Sequence, residues 1–193
     1  VKKVIDDNSL GKLCMFSEIR TINYFDDSRP KWFLNKKTSG GGIVMNYGAH
    51  ALDKLFYLLG AEAVDVTATV GNFKNCTDIE GHAQFLLKFK NNISANVTFS
   101  GYGNCGYESV YYFTNGALKV TDTNNLWKNT DGIWEKVDIV SNNESAMALQ
   151  LEEFCKYVNG EAANISTGEY GKNIVAAIEE IYNQNQQLKS ANN

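Results

Sequence analysis

The chain has one proline, four cysteines and a slight deficit of basic residues in 193 positions. Its apolar runs all fall short of the ~20 residues needed to cross a bilayer, so a helical membrane partner is not expected. Pro30 lies in the polar cluster Asp26-Asp27-Ser28-Arg29-Pro30, which reads as a loop. Cys14, Cys76, Cys105 and Cys155 lack metal-ligand spacing and a histidine at nucleophile spacing. They read as free thiols of a reducing compartment, which leaves disulfide scaffolds and thiol catalysis without support. Lys and Arg number 18 against 22 Asp and Glu, for a net charge of −4 and no basic stripe. That balance argues against a nucleic-acid partner. No secretory pattern follows Val1-Lys2-Lys3, so the expected location is cytoplasmic. The Asn-x-Ser/Thr triplets at Asn75, Asn92, Asn96, Asn143 and Asn164 are then chance matches in an Asn-rich chain.

What is present is ordinary for a globular protein, with 44% hydrophobic and 21% charged residues and length enough for one well-buried domain. Residues 11–20 form a β-like run that continues toward Tyr24. Val64, Val66, Ala68 and Val70 alternate with polar residues as in a half-buried strand. Asn91-Asn92, Asn115-Gly116 and Asp131-Gly132 each separate two strand-like runs, predicting three hairpins. Helices are expected over 144–158, stopped by Asn159-Gly160, and after a capping box at Ser166-Thr167-Gly168-Glu169 with Ile165 and Tyr170 as its staple. The later helix carries the stripe Ile174, Ala177, Ile178, Ile181 and Leu188. These elements predict an α+β fold, an open and mainly antiparallel sheet with helices packed on one face.

The stretch 39–60, SGGGIVMNYGAHALDKLFYLLG, stands apart. Gly40, Gly41 and Gly42 lead into a run with helical spacing. On a 3.6-residue wheel Asn46, His50, Asp53 and Tyr57 share a narrow polar face, opposite Met45, Ala49, Leu52, Leu55, Phe56 and Leu59. An amide, an imidazole, a carboxylate and a phenol in register suit the gripping of hydroxyls and the movement of a proton.

Two other patterns resolve differently. Gly101-Tyr102-Gly103-Asn104-Cys105-Gly106 matches the dinucleotide fingerprint, but the strand-like residues after it deny the motif its helix, so it reads as a strand connection. Asp78, Glu80 and His82 alternate without a fourth ligand and read as a solvated strand edge, with no metal expected.

Trp32 followed by the glycines and Asn46-x3-His50-x2-Asp53 resembles the substrate domain of the Gfo/Idh/MocA oxidoreductases. The turn at residues 7–13 and the pattern Gln150, Phe154, Gly160, Ser166, Glu169 and Gly171 extend the resemblance over nearly the whole chain. It implies an enzyme that oxidises a secondary alcohol of a sugar, cyclitol or sugar nucleotide with NAD or NADP. His50 would be the acid/base, and Asn46 would hold a hydroxyl where many members carry Asp. Trp32, Tyr102, Tyr107, Arg20 and Asp53 become candidate substrate contacts, with Asp53 more suited to orienting than to reacting. The resemblance also implies that residues 1–10 are linker from a nucleotide-binding domain upstream, which would hold the cofactor and a catalytic lysine. Residues 11–193 would bind substrate and assemble a homodimer or tetramer through the sheet. Two alternatives stay open: a non-catalytic sugar-binding or assembly module, and a domain whose glycine-rich helix start binds an anion.

Overall fold

The computed structural model describes residues 1–60, 63–75, 77–121, 125–139, 145–163 and 166–191, with backbone alone for 186–191. A short helix α1 (Lys2–Asp6) precedes β1 (Leu13–Asn23). A 3₁₀ turn (Lys31–Leu34) and α2 (Lys36–Ser39) lead to a π-helical segment (Val44–Gly48) that continues as α3 (Ala49–Leu59). Then follow β2 (Ala63–Gly71), β3 (His82–Phe89), β4 (Ser94–Ser100), β5 (Tyr102–Phe113), β6 (Gly116–Thr121), β7 (Asn125–Asn129) and β8 (Trp134–Val137). Helices α4 (Ala146–Val158) and α5 (Gly168–Ala191) close the chain.

The eight strands form one sheet in the order β2-β3-β4-β1-β5-β6-β7-β8, an α+β fold. Every neighbouring pair is antiparallel except β1 and β4, which run parallel at the centre. The three hairpins form where turn residues predict them, with different chemistry at each. Asn92 adopts positive φ, as asparagine tolerates. At Asn115-Gly116 only the glycine is positive, so the type I′ turn that Asn-Gly favours is not the one used. At the third, Gly132 is positive and its N–H donates to the Asn129 side chain.

Alternation places one row of each strand under the helices. Phe85, Leu87, Phe89, Ala95, Val97, Phe99 and Phe16 are buried there with Leu52, Leu55 and Phe56 of α3 and Ile178 and Ile181 of α5. Val66, Ala68 and Val70 follow the expected alternation; Val64 is exposed because the register shifts between Ala63 and Asp65. The other sheet face is open, mixing Thr67, Thr69, Gln84 and Lys88 with exposed Met15, Ile19, Leu86 and Tyr112. The first ten residues pack on the domain, with Leu10 in the core and Val1, Val4 and Ile5 against it. The α5 cap is Thr167, whose hydroxyl accepts from the Tyr170 N–H. The Ile165 staple, Cys76 and the Glu144 end of the α4 prediction lie outside the described residues. Among the described residues no helix is long and apolar enough to cross a membrane.

Helix α4 differs from α3 and α5, since none of its residues is buried. Met147, Leu151, Phe154 and Val158 all remain exposed along it. In the 193-residue chain, Leu52→Ala should cost about 2–5 kcal/mol of stability, because it empties a fully packed position. Leu151→Ala should stay within about 0.5 kcal/mol. Urea unfolding of the two variants measures the difference.

Candidate functional site

The helix that carries His50 starts on a carboxylate. Glu80, 8% exposed, accepts from the backbone N–H of Gly42 at 2.7 Å and of Val44 at 3.0 Å. Its own carbonyl accepts from the Ile43 N–H, and the Tyr182 hydroxyl of α5 donates to the same carboxylate oxygen at 2.7 Å. A negative charge at a helix start satisfies orphan amides and faces the positive end of the dipole. The glycines allow this approach. A Cβ on Gly42 would fall 2.1 Å from the Glu80 carbonyl oxygen, and one on Gly41 2.1 Å from the Tyr182 hydroxyl. The anion expected at this helix start is therefore supplied by the protein itself, which overturns the reading of the glycines as an external anion site. It also corrects the reading of 78–82 as a solvated edge. Asp78 accepts from the Lys36 N–H, Glu80 is buried, and His82 contacts the Tyr102 hydroxyl at 3.1 Å.

The first turns are π rather than α, so Asn46 leaves the 3.6-residue register that aligned it with His50, Asp53 and Tyr57. Asn46 lies instead beside Tyr24. Burial raises the Tyr24 pKa and the Asn46 side chain offsets part of that push. No hydrogen bond of full geometry forms, and the fully buried Tyr24 hydroxyl is unpaired among the described residues. His50 is exposed and its ring makes no hydrogen bond among the described residues; it meets the edge of Tyr47 at 6.5 Å. The Arg20 guanidinium also faces Tyr47, at 5.2 Å, and faces Tyr107 at 4.5 Å. Arg20 and Tyr107 are direct cross-strand neighbours on β1 and β5, which explains that stacking. Tyr47 thus joins His50 and Arg20.

The remaining candidates are otherwise engaged. The Asp53 carboxylate accepts from the Tyr170 hydroxyl at 2.9 Å, tying α3 to α5. Tyr102 accepts from the Phe73 N–H at 2.8 Å and stacks on Phe25 at 5.7 Å, a brace for the connection after β2. Trp32, 54% exposed, stacks on Phe33 at 4.0 Å. Phe33 in turn faces Arg29, which lies 4.2 Å over the Tyr24 ring.

One pair escaped the sequence reading. Lys54 donates to the buried carboxylate of Glu18 and to the Tyr107 hydroxyl at 2.9 Å. Burial opposes the Lys54 charge, but Glu18 and the phenols of Tyr111 and Tyr107 outweigh it, and the pKa is raised. The available signal was a glutamate in the inward row of β1, two residues from Phe16, which a buried strand face admits only with a partner.

Replacing Glu80 by Gln should destabilise the protein by about 1.5–3 kcal/mol, since hydrogen bonds to a charged group are lost. The Tyr182 pKa is raised by burial and then by the Glu80 charge, with the hydrogen bond to Glu80 adding to both. Its folded phenol stays neutral where the unfolded one ionises. That contribution is full below pH about 10 and is lost as pH rises beyond it. Tyr182→Phe should flatten the alkaline fall, read as urea midpoints across that range.

One family model matches more than half of the chain. The family model described as "GFO/IDH/MocA C-terminal domain" matches residues 1–119. A 1-carboxy-3-chloro-3,4-dihydroxycyclohexa-1,5-diene dehydrogenase of Comamonas testosteroni is 34% identical over 116 residues, 59% of this chain and 28% of that protein. The fold is similar to aldose-aldose oxidoreductase from Caulobacter crescentus, complexed with glycerol. The TM-score is 0.85 at 21% identity, over 96% of this chain and 57% of that one. It is also similar to an oxidoreductase from Agrobacterium radiobacter in complex with NAD+, L-tartaric acid and magnesium. There the TM-score is 0.81 at 16% identity, over 96% and 58%. The chain therefore spans little more than half of these solved chains. With the sheet, the glycine-led helix and the sequence match in agreement, the chain belongs to the Gfo/Idh/MocA oxidoreductases, as their C-terminal domain.

Proposed function

We propose that this domain is the substrate-binding half of an NAD- or NADP-dependent oxidoreductase acting on a secondary alcohol of a sugar, cyclitol or sugar nucleotide. The observation that carries the reading is His50: an exposed imidazole with both nitrogens uncommitted among the described residues, on a helix fixed at its start by Glu80. Such a ring can take the hydroxyl proton as the alcohol is oxidised and return it in the reverse direction. We assign the holding of substrate to Asn46, beside Tyr24, and Arg20, against Tyr47 and Tyr107, with Trp32, Tyr102, Tyr107 and Asp53 as supporting contacts. The names of the similar proteins, a cyclic-diol dehydrogenase and a structure holding NAD+ with a polyhydroxy acid, support this class.

A nicotinamide cofactor supplies the hydride acceptor. Gly101 to Gly106 join β4 directly to β5 without opening a helix, so this run lacks the geometry of a dinucleotide fingerprint. We assign its binding to a part of the protein outside these residues. The open sheet face, with Met15, Ile19, Leu86 and Tyr112 exposed, is assigned to a homodimer or tetramer contact.

The test is a panel of aldoses, inositols and nucleotide sugars on the full-length protein with NAD and NADP. His50→Ala should lower kcat/KM by about 10²–10⁴-fold at unchanged thermal stability, as expected for loss of an acid/base that packs on little. Normal turnover in that variant removes the role. Ile19→Glu should shift sedimentation toward monomer; a wild-type monomer at micromolar concentration would overturn the assembly assignment.

A further inference from the structure

Carboxylates around the site are each accounted for, and two guanidiniums, Arg20 and Arg29, are left without an ion pair among the described residues. Glu18 is matched by Lys54, Asp53 by Tyr170, and Glu80 by the amides of Gly42 and Val44 with Tyr182. Asn46 adds an amide and no charge. Of the two guanidiniums, Arg20 is the one that faces Tyr47, the ring His50 also meets. It lies two residues from Glu18 on the inward row of β1, half-buried, and forms no ion pair or hydrogen bond among the described residues. Its contacts are the rings of Tyr47 and Tyr107, which offset a cation weakly compared with a carboxylate. A guanidinium has five N–H donors in a planar fork shaped for an oxyanion, and it cannot lose its proton. In a protein of net charge −4, an unmatched arginine against the tyrosine that also touches His50 is a local reversal of sign.

We propose that the substrate is an acid: a polyol or cyclic diol bearing a carboxylate, which Arg20 binds while His50 addresses a hydroxyl. This rests on the oxidoreductase reading for the reaction, but not for the binding. Arg20 fixes which end of the molecule approaches the helix, and its tyrosine walls hold the fork in place at small entropic cost. Lys54 is the weaker competitor for the ligand, because its charge is paired with Glu18 and two of its three donors go to Glu18 and Tyr107. Neutral sugars lack the group that Arg20 needs, and leaving its donors unmet on closure penalises them.

The test uses the full-length protein and two matched pairs, D-glucuronate with D-glucose and L-tartrate with L-threitol, at constant ionic strength. Thermal protection and NAD(P)-linked kcat/KM are both read. The acid of at least one pair should protect, and where turnover occurs it should exceed its neutral partner by about ten- to hundredfold, the worth of one charge-assisted contact. Arg20→Gln should erase that difference, and Arg20→Lys should restore part of it. His50→Ala should lower kcat/KM by about 10²–10⁴-fold but keep the acid's protection. No protection by either acid, preference for the neutral partner, or protection unchanged in Arg20→Gln overturns the proposal. If Arg20→Gln fails to fold, Arg20→Lys decides, and an acid response equal to wild type overturns it. Arg20-dependent protection without turnover supports the acid site and removes the oxidoreductase reading. Turnover of neutral polyols with no acid preference does the reverse.

Discussion

A single carboxylate oxygen gathers three donors from distant parts of the chain. Glu80 meets the Gly42 and Val44 amides, 38 and 36 residues before it, and the Tyr182 hydroxyl, 102 residues after it. Buried charge is tolerable only when its lone pairs are filled, and here the donors that fill them are the ones a helix start leaves orphaned. The helix that presents His50 is thereby fixed to the loop before β3 and to α5 at once. Without that contact, the π turn would have free amides facing a buried wall. The glycines serve this closeness: they let backbone reach backbone and phenol, rather than clearing a path for a ligand.

The same accounting extends across the helix-covered side of the sheet. Each acid there has a partner, and the partners come from different elements: a lysine of α3, a phenol of α5, amides of the helix start. Such pairing explains why polar groups can stand in an inward row otherwise filled by Phe16, Val97 and Phe99. It also explains the position of the aromatic residues. Tyr47, Tyr107 and Tyr24 flank the polar groups, so a cation that finds no acid can still lie against a ring face.

Much of this was legible in the sequence. Alternation in β2, the three hairpin signals and the glycine-led run at 40–50 are local patterns, and the elements they predict form as local physics requires. The Asn46–His50 register was misjudged because periodicity assumes an α-helix, and nothing in the spacing announces a π turn. The roles of Glu80 and Lys54 were hidden for another reason. Each depends on a partner dozens of residues away, and a charge that looks solvated in one dimension becomes a cap or an ion pair only when the sheet assembles.

The parallel pairing of β1 with β4 has a consequence for how the polypeptide reaches its native form. Both neighbours of β1, β4 and β5, come later in the chain, and between β1 and β4 lie α3 and the hairpin of β2 and β3. Closing so long an excursion is slow compared with zipping adjacent strands. During synthesis the strand that becomes the middle of the sheet emerges before either of its partners, with both edges bare. It stays unpaired on at least one side until residue 113 has left the ribosome, a window in which a chaperone, or another nascent chain, can reach it first.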